Sequence, residues 1–148
     1  MLIPDDLSYG TTPKVRDACL CLHVQRAARA LARRFDEALR PVDLTNQQFS
    51  LLMALNRPVP PAMGGVAELL AMDRTTLTAA LKPLERRHLV SVTVDPADKR
   101  SRLLVLTPSG RSLLAKGLPL WKRAQAVTER LITGGSPDRL RAELRALS

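Results

Sequence analysis

A chain of 148 residues and 16.3 kDa is long enough for one compact domain and too short for separate cofactor and substrate halves. Hydrophobic residues at 45% and charged residues at 25% exclude a disordered, collagen-like or low-complexity chain, and aromatics at 3% leave Leu, Ala and Val to build a helical core. A formal charge of +9 attracts polyanions through a field that salt weakens, so nucleic acid is the expected partner, and no apolar run of about 18 residues suggests a membrane span.

Residues 1–12 read as a loose arm with Pro4 and Gly10. Asp5 and Asp6 stand where a secretory signal would carry positive charge, so a soluble, intracellular protein is expected. Cys19 and Cys21 are the only cysteines; no disulfide framework is expected, and a cytosolic compartment would keep both reduced. From Pro13 to Arg40 the apolar residues Leu20, Val24, Ala27, Leu31, Phe35 and Ala38 recur at a helical period, with Arg26, Arg29, Arg33 and Arg40 mostly off that stripe. This predicts one long helix, stopped by Pro41. Thr45 with Gln48 has capping-box spacing and opens a second helix through Leu55, followed by a Pro-rich turn over residues 57–61.

A short helix containing Val66, Ala67, Leu69 and Leu70 comes next, weakened at its start by Gly64 and Gly65, and it breaks at Ala71-Met72. Asp73 is placed to cap a further helix with Leu77, Ala80, Leu81 and Leu84 inward and Arg74, Thr75, Thr78 and Lys82 outward. Val90, Val92 and Val94 then alternate with Ser91 and Thr93, residues 95–100 form a polar tip, and apolar residues return over 103–106, which predicts a β-hairpin with a charged end. Thr107-Pro108 opens a long helix expected to run to Thr133, and Ser136-Pro137 opens a last one. Pro119, with Gly117 beside it, predicts a bend in the long helix near residues 115–119. Between Asp73 and Thr107 there are seven basic against four acidic residues, gathered on the outer helix face and the hairpin tip.

A short helix, a tight turn, a helix with a polar outer face and a basic hairpin, in that order, define a winged helix-turn-helix. Its second helix suits the major groove, and its wing can set Arg or Lys against phosphates or in the minor groove. The stretch VAELLAMDRTTLTAALKPLERRHLV (residues 66–90), continued by DPADKRSRLLVLTPSG (residues 95–110), resembles the multiple-antibiotic-resistance regulator (MarR) family, and LTNQQFSLLMAL and the terminal helices match it too. The resemblance implies a mainly α fold with a small β-wing, one MarR-like domain over 1–148. Residues 1–40 and 108–148 would form dimerisation helices, and 45–107 the DNA-binding lobe. It further implies a homodimeric, cytoplasmic, nucleoid-associated regulator of bacteria or archaea, usually a repressor, released from palindromic double-stranded DNA by a small, often aromatic and anionic effector.

Carried onto this chain, the resemblance gives DNA-facing roles to Arg74, Thr75, Thr76, Thr78 and Lys82 on the second helix and to Asp98, Lys99, Arg100 and Arg102 on the wing. Asp98 and Arg100 match the family's Asp-x-Arg wing motif. Ala71, His88 and Ala79 depart from the common pattern; Ala71 and His88 stand where Gly is frequent, and neither position is expected to demand positive φ.

Cys21 resembles the reactive cysteine of the organic-hydroperoxide-sensing branch, yet Phe35, Asn46 and Phe49 stand where that branch carries stabilising tyrosines. Both cysteines are therefore expected to be small buried hydrophobes, not easily bridged because residues two apart point to different sides of a helix. Trp121 reads either as dimer packing or as a wall of an effector pocket, with Phe49, His23 and Cys21 as further pocket candidates. No zinc-spaced Cys/His set, Gly-rich phosphate loop or nucleophile with an oriented base is legible, so neither a cofactor nor catalysis is expected. The rival readings are a redox-responsive repressor using Cys21 and a sequence-tolerant architectural DNA-binding protein, for which the charge alone would suffice.

Overall fold

The computed structural model describes residues 7–148, so the part of the expected arm that holds Pro4, Asp5 and Asp6 lies outside the described residues. The chain divides into two units, one ending at Arg34 and the other covering Phe35–Ser148. Among the described residues, no helix is long and apolar enough to cross a membrane.

In the first unit the single helix expected from Pro13 to Arg40 is two helices, α1 (Thr11–Ala18) and α2 (Leu20–Leu39), the second continuing past Arg34. Cys19 separates them in an extended conformation (φ −70°, ψ 106°). Its Sγ accepts from the Leu22 N–H at 3.4 Å, the bond that a Ser hydroxyl makes at a helix N-cap. Neither Pro nor Gly marks this break, so hydrophobic period carries straight across it. The expectation that both cysteines are buried also fails: Cys19 is half-buried and Cys21 exposed. With Cys19 outside the regular helix, helical geometry no longer disfavours a bridge to Cys21.

In the second unit Pro41 ends α2 in a 3-10 turn, Arg40–Val42, followed by Asp43 in the left-handed region (φ 53°). Thr45 then caps α3 (Asn46–Ala54) with the full capping box, its hydroxyl accepting from Gln48 N while Gln48 Oε1 accepts from Thr45 N, each at 3.1 Å. Helix α4 (Met63–Leu69) and helix α5 (Arg74–Arg86) flank the expected break. The hairpin pairs β1 (Val90–Asp95) with β2 (Asp98–Leu106) antiparallel, Val90 opposite Leu106, with an irregularity at Val94/Asp95; Ala62 adds an isolated bridge to Leu103. Helix α6 (Pro108–Glu129) starts on its Thr107 cap but stops four residues short of Thr133, and α7 (Pro137–Leu147) starts on Ser136. Arg141 joins these two helices by bonding Glu129 at 2.9 Å and Asp138 at 2.6 Å, which holds the Glu129 carboxyl below its usual range.

Leu39, Leu51, Leu52, Val66, Leu77, Leu81, Leu84 and Leu104 are fully buried and pack the helix-turn-helix onto the hairpin. Helix α6 runs unbroken through Pro119. The nearby Gly117 has a packing role: it is buried, and a Cβ there would lie 3.4 Å from the Phe49 ring.

Ala71 (φ 51°) and His88 (φ 56°) both occupy the left-handed region, against the expectation that neither would need it. The reason is the way α4 and α5 end. Met72 N donates to Ala67 O at 2.9 Å and Leu89 N to Leu84 O at 3.0 Å, six-to-one closures that require a left-handed residue just before the donor. A Cβ at positive φ costs about 1–2 kcal/mol, partly offset by the backbone freedom Gly loses on folding. Ala71→Gly is therefore expected to stabilise the fold by about 0.5–1 kcal/mol and to raise Tm by roughly 1–4 °C, checked by thermal denaturation. An equal or lower Tm would mean that Ala71 is unstrained.

Candidate nucleic-acid interface and ligand cavity

Helix α5 begins where Asp73, in extended conformation, accepts from Thr76 N at 2.7 Å and from Thr76 Oγ1 at 3.0 Å. These bonds hold the Asp73 carboxyl below its usual range. A depressed pKa means that this capping contribution is present above the ordinary carboxylate range and is lost as pH falls through the folded value. The cap fixes the first turn of α5, with Arg74, Thr75, Thr76, Thr78 and Lys82 all exposed, as the sequence predicts. Their polar atoms are not equally free. Thr76 is committed to Asp73, and Thr78 donates to the backbone Arg74 O at 2.8 Å, whereas the Arg74 guanidinium, the Thr75 hydroxyl and the Lys82 ammonium have no hydrogen-bond or ion-pair partner among the described residues.

The wing sorts its charges in the same way. Asp98 Oδ1 accepts from Arg100 N at 3.0 Å and Asp95 Oδ1 from Ala97 N at 2.9 Å, so the two acids shape the tip by Asx-type bonds. Arg102 turns back to the carbonyls of Lys99 (3.1 Å) and Ser101 (3.3 Å). Lys99 and Arg100 are exposed, and their side chains have no partner among the described residues. Asp98, although part of the Asp-x-Arg pattern, is a shaping residue and adds no positive charge.

Phe49 and Trp121 come together, their rings stacked with centroids 6.1 Å apart and planes 12° from parallel. They line a cavity of about 500 Å³ walled by Met53 and Leu118 and by Leu69 and Leu70 at the end of α4. That volume suits a small organic molecule. Among the described residues, Arg57 is the one charged residue in the wall. It was not legible as a site residue, because in sequence it sits in a Pro-rich turn with no pattern around it. Phe49 is 4% exposed and Trp121 half-buried, so Phe49 is core as well as wall.

Cys21 and His23 belong to the first unit. The Cys21 Sγ accepts from Gln25 Nε2 at 3.3 Å, and His23 Nδ1 donates to Cys19 O at 2.7 Å. Among the described residues no group of three or more His, Cys, Asp or Glu side chains could hold a metal.

Two helices joined by a tight turn and followed by an antiparallel wing make this a winged helix-turn-helix protein. Residues 42–101 match the model of the MarR family. The fold superposes on the Mycobacterium tuberculosis transcriptional regulator MosR in complex with DNA with a TM-score of 0.79 and 38% identity, over 87% of this chain and 92% of that one. The chain belongs to the MarR family. It is 35% identical over 95 residues to the transcriptional activatory protein BadR of Rhodopseudomonas palustris, a match covering 62% of this chain and only 54% of BadR. It is 29% identical over 115 residues to the transcriptional repressor NicR of Pseudomonas putida, covering 78% of this chain and 70% of NicR.

Proposed function

We propose that the protein is a dimeric, sequence-specific DNA-binding transcriptional regulator, acting as a repressor released from a palindromic operator by a small aromatic anion. The observation that carries the DNA reading is the set of uncommitted groups on one module: Arg74, Thr75 and Lys82 on α5, with Lys99 and Arg100 at the wing tip. Hydroxyl and cation on a helix suit base edges in the major groove, and the wing cations suit phosphates or the minor groove. The dimer reading is supported by apolar side chains left exposed at helical spacing, Leu20, Val24 and Leu31 on α2 and Leu140, Leu144 and Leu147 on α7. The effector reading is supported by the Phe49–Trp121 cavity, where flat rings meet one guanidinium.

Selection from random duplex DNA tests this reading. The expected product is a palindrome with half-sites about one helical turn apart. Tight, salt-sensitive binding without an enriched sequence would instead support an architectural protein. With the selected duplex in hand, aromatic carboxylates should release the wild type and fail to release Arg57→Ala.

A redox-responsive repressor is the second reading, favoured by the exposed Cys21 and by the helix break at Cys19. In it, the Cys21 thiolate attacks a hydroperoxide oxygen, the O–O bond breaks and an alcohol leaves. The Cys19 thiol then displaces water from the resulting sulfenic acid to form a disulfide. If stoichiometric cumene hydroperoxide releases the wild type but not Cys21→Ser, this reading replaces the aromatic anion. The first reading expects Cys21→Ser to respond as the wild type does.

A further inference from the structure

The far end of α5 from its Asp73 cap is held by a residue that the DNA-facing set leaves out. Arg87, the residue after α5, donates from Nη1 to the backbone carbonyl of Asp43 at 2.8 Å, and its Nη2 lies 3.7 Å from Asp43 Oδ2. The two residues are 44 positions apart in sequence. The Arg87 side chain is 32% exposed, that of Asp43 96%. Half-burial on one side of the pair and a backbone acceptor on the other distinguish this contact from an ordinary surface ion pair, which contributes little.

The acceptor is built to stay in place. Asp43 is left-handed, with its N–H bonded to Arg40 O at 2.9 Å. Asp36 Oδ1 accepts from both Asn46 N and Asn46 Nδ2 at 2.7 Å, and the Thr45–Gln48 capping box follows. The corner between α2 and α3 is thus pinned on both sides of the carbonyl that Arg87 reaches. These groups surround a polar cavity of about 330 Å³ walled by Asp36, Arg40, Asp43, Gln48 and Arg87. The last turn of α5 needs such an anchor. Pro83 lies within it and has no N–H for the Ala79 carbonyl, so that turn holds one internal bond fewer than an ordinary helix.

We infer that Arg87 is a positioning residue for DNA recognition: by docking on the Asp43 carbonyl it fixes the roll and axial position of α5 without itself contacting DNA. The inference rests on the reading that α5 and the wing bind a specific duplex. Because the principal acceptor is a backbone oxygen, the Asp43 carboxylate is secondary. Asp43→Gly keeps the oxygen and relaxes the left-handed position.

The test uses the full chain and the selected duplex, with Arg87→Met, which keeps the aliphatic stem and removes every donor, beside Asp43→Gly. Arg87→Met is expected to weaken specific binding about tenfold, to leave binding to an unrelated duplex unchanged, and to keep the slope of log K against log salt, because no phosphate contact is lost. Asp43→Gly should stay within about twofold of the wild type, since its carbonyl remains. Without DNA, amide exchange at residues 87–89 should quicken in Arg87→Met and not in Asp43→Gly. A salt slope smaller by about one, with equal loss on every sequence, would make Arg87 a phosphate contact and overturn the inference. Unchanged specific affinity or unchanged amide exchange in Arg87→Met would overturn it as well. A wild type with no sequence preference would defeat the DNA reading instead, and the exchange comparison would still judge the anchor.

Discussion

Gly110→Ala is expected to cost at least about 3 kcal/mol and to lower Tm by roughly 6–12 °C, the largest stability effect among the chain's glycine-to-alanine changes. Gly110 lies in the first turn of α6, where the base of the wing closes. Thr107 Oγ1 accepts from Gly110 N at 3.0 Å and donates to His88 O at 2.7 Å, while Thr107 N donates to Leu89 O at 3.1 Å. These bonds draw the start of α6 against the strand that leaves α5. A Cβ on Gly110 would overlap the Leu89 carbonyl oxygen and lie 2.8 Å from Leu106 Cδ1. The crowded atom is backbone, and Leu89 is held in turn by its closure onto Leu84 O, so relief requires moving the end of α5 or the start of α6. Gly117→Ala is the control, because its added Cβ meets side-chain atoms alone, the edge of the Phe49 ring at 3.4 Å and Leu39 Cδ2 at 3.6 Å, which small side-chain shifts can accommodate. Urea unfolding of both variants measures the difference. Equal midpoints for Gly110→Ala and the wild type would show that α6 does not close on the hairpin in this way.

The contrast between these two glycines shows where sequence reasoning succeeds on this chain and where it stops. Caps are local, three residues wide and chemically distinctive. Thr45, Asp73, Thr107 and Ser136 therefore announce four helices correctly, and strict alternation announces the hairpin. The outward placement of Arg74, Thr75, Thr78 and Lys82 follows from the same 3.6-residue period that buries Leu77, Leu81 and Leu84. What failed depends on contacts between distant segments, or on residues used outside their usual roles. A thiol capping a helix leaves no signature, so α1 and α2 read as one. An Ala at positive φ contradicts its side chain's preference, and for Ala71 and His88 alike only the closure of each helix reveals the conformation. Arg87 owes its interest to the Asp43 carbonyl 44 positions away, and Arg57 to a cavity completed by Leu118 and Trp121 of α6; neither arginine stands in a periodic pattern.

The largest functional effect is expected at Arg100. Three cations sit on the wing, and their surroundings separate their roles. Arg102 is folded onto the Lys99 and Ser101 carbonyls, so reaching DNA would require breaking bonds it already makes. Lys99 is uncommitted but is a flexible point charge. Arg100 has its backbone N–H fixed by Asp98, which aims the residue, while its guanidinium makes no intramolecular bond among the described residues. A planar fork on a fixed stretch of backbone suits a narrow minor groove, where the negative potential is greatest. Arg100→Ala should therefore weaken binding to the selected duplex at least about tenfold and reduce the salt slope by about one, while its elution volume in size-exclusion chromatography matches that of the wild type. Asp98→Ala should lose affinity without that change in slope, since it removes the aim and leaves the charge. Fluorescence-anisotropy titrations over a salt series separate these two signatures, and undiminished affinity of Arg100→Ala at fixed salt would take the wing tip out of the interface while leaving α5 in it.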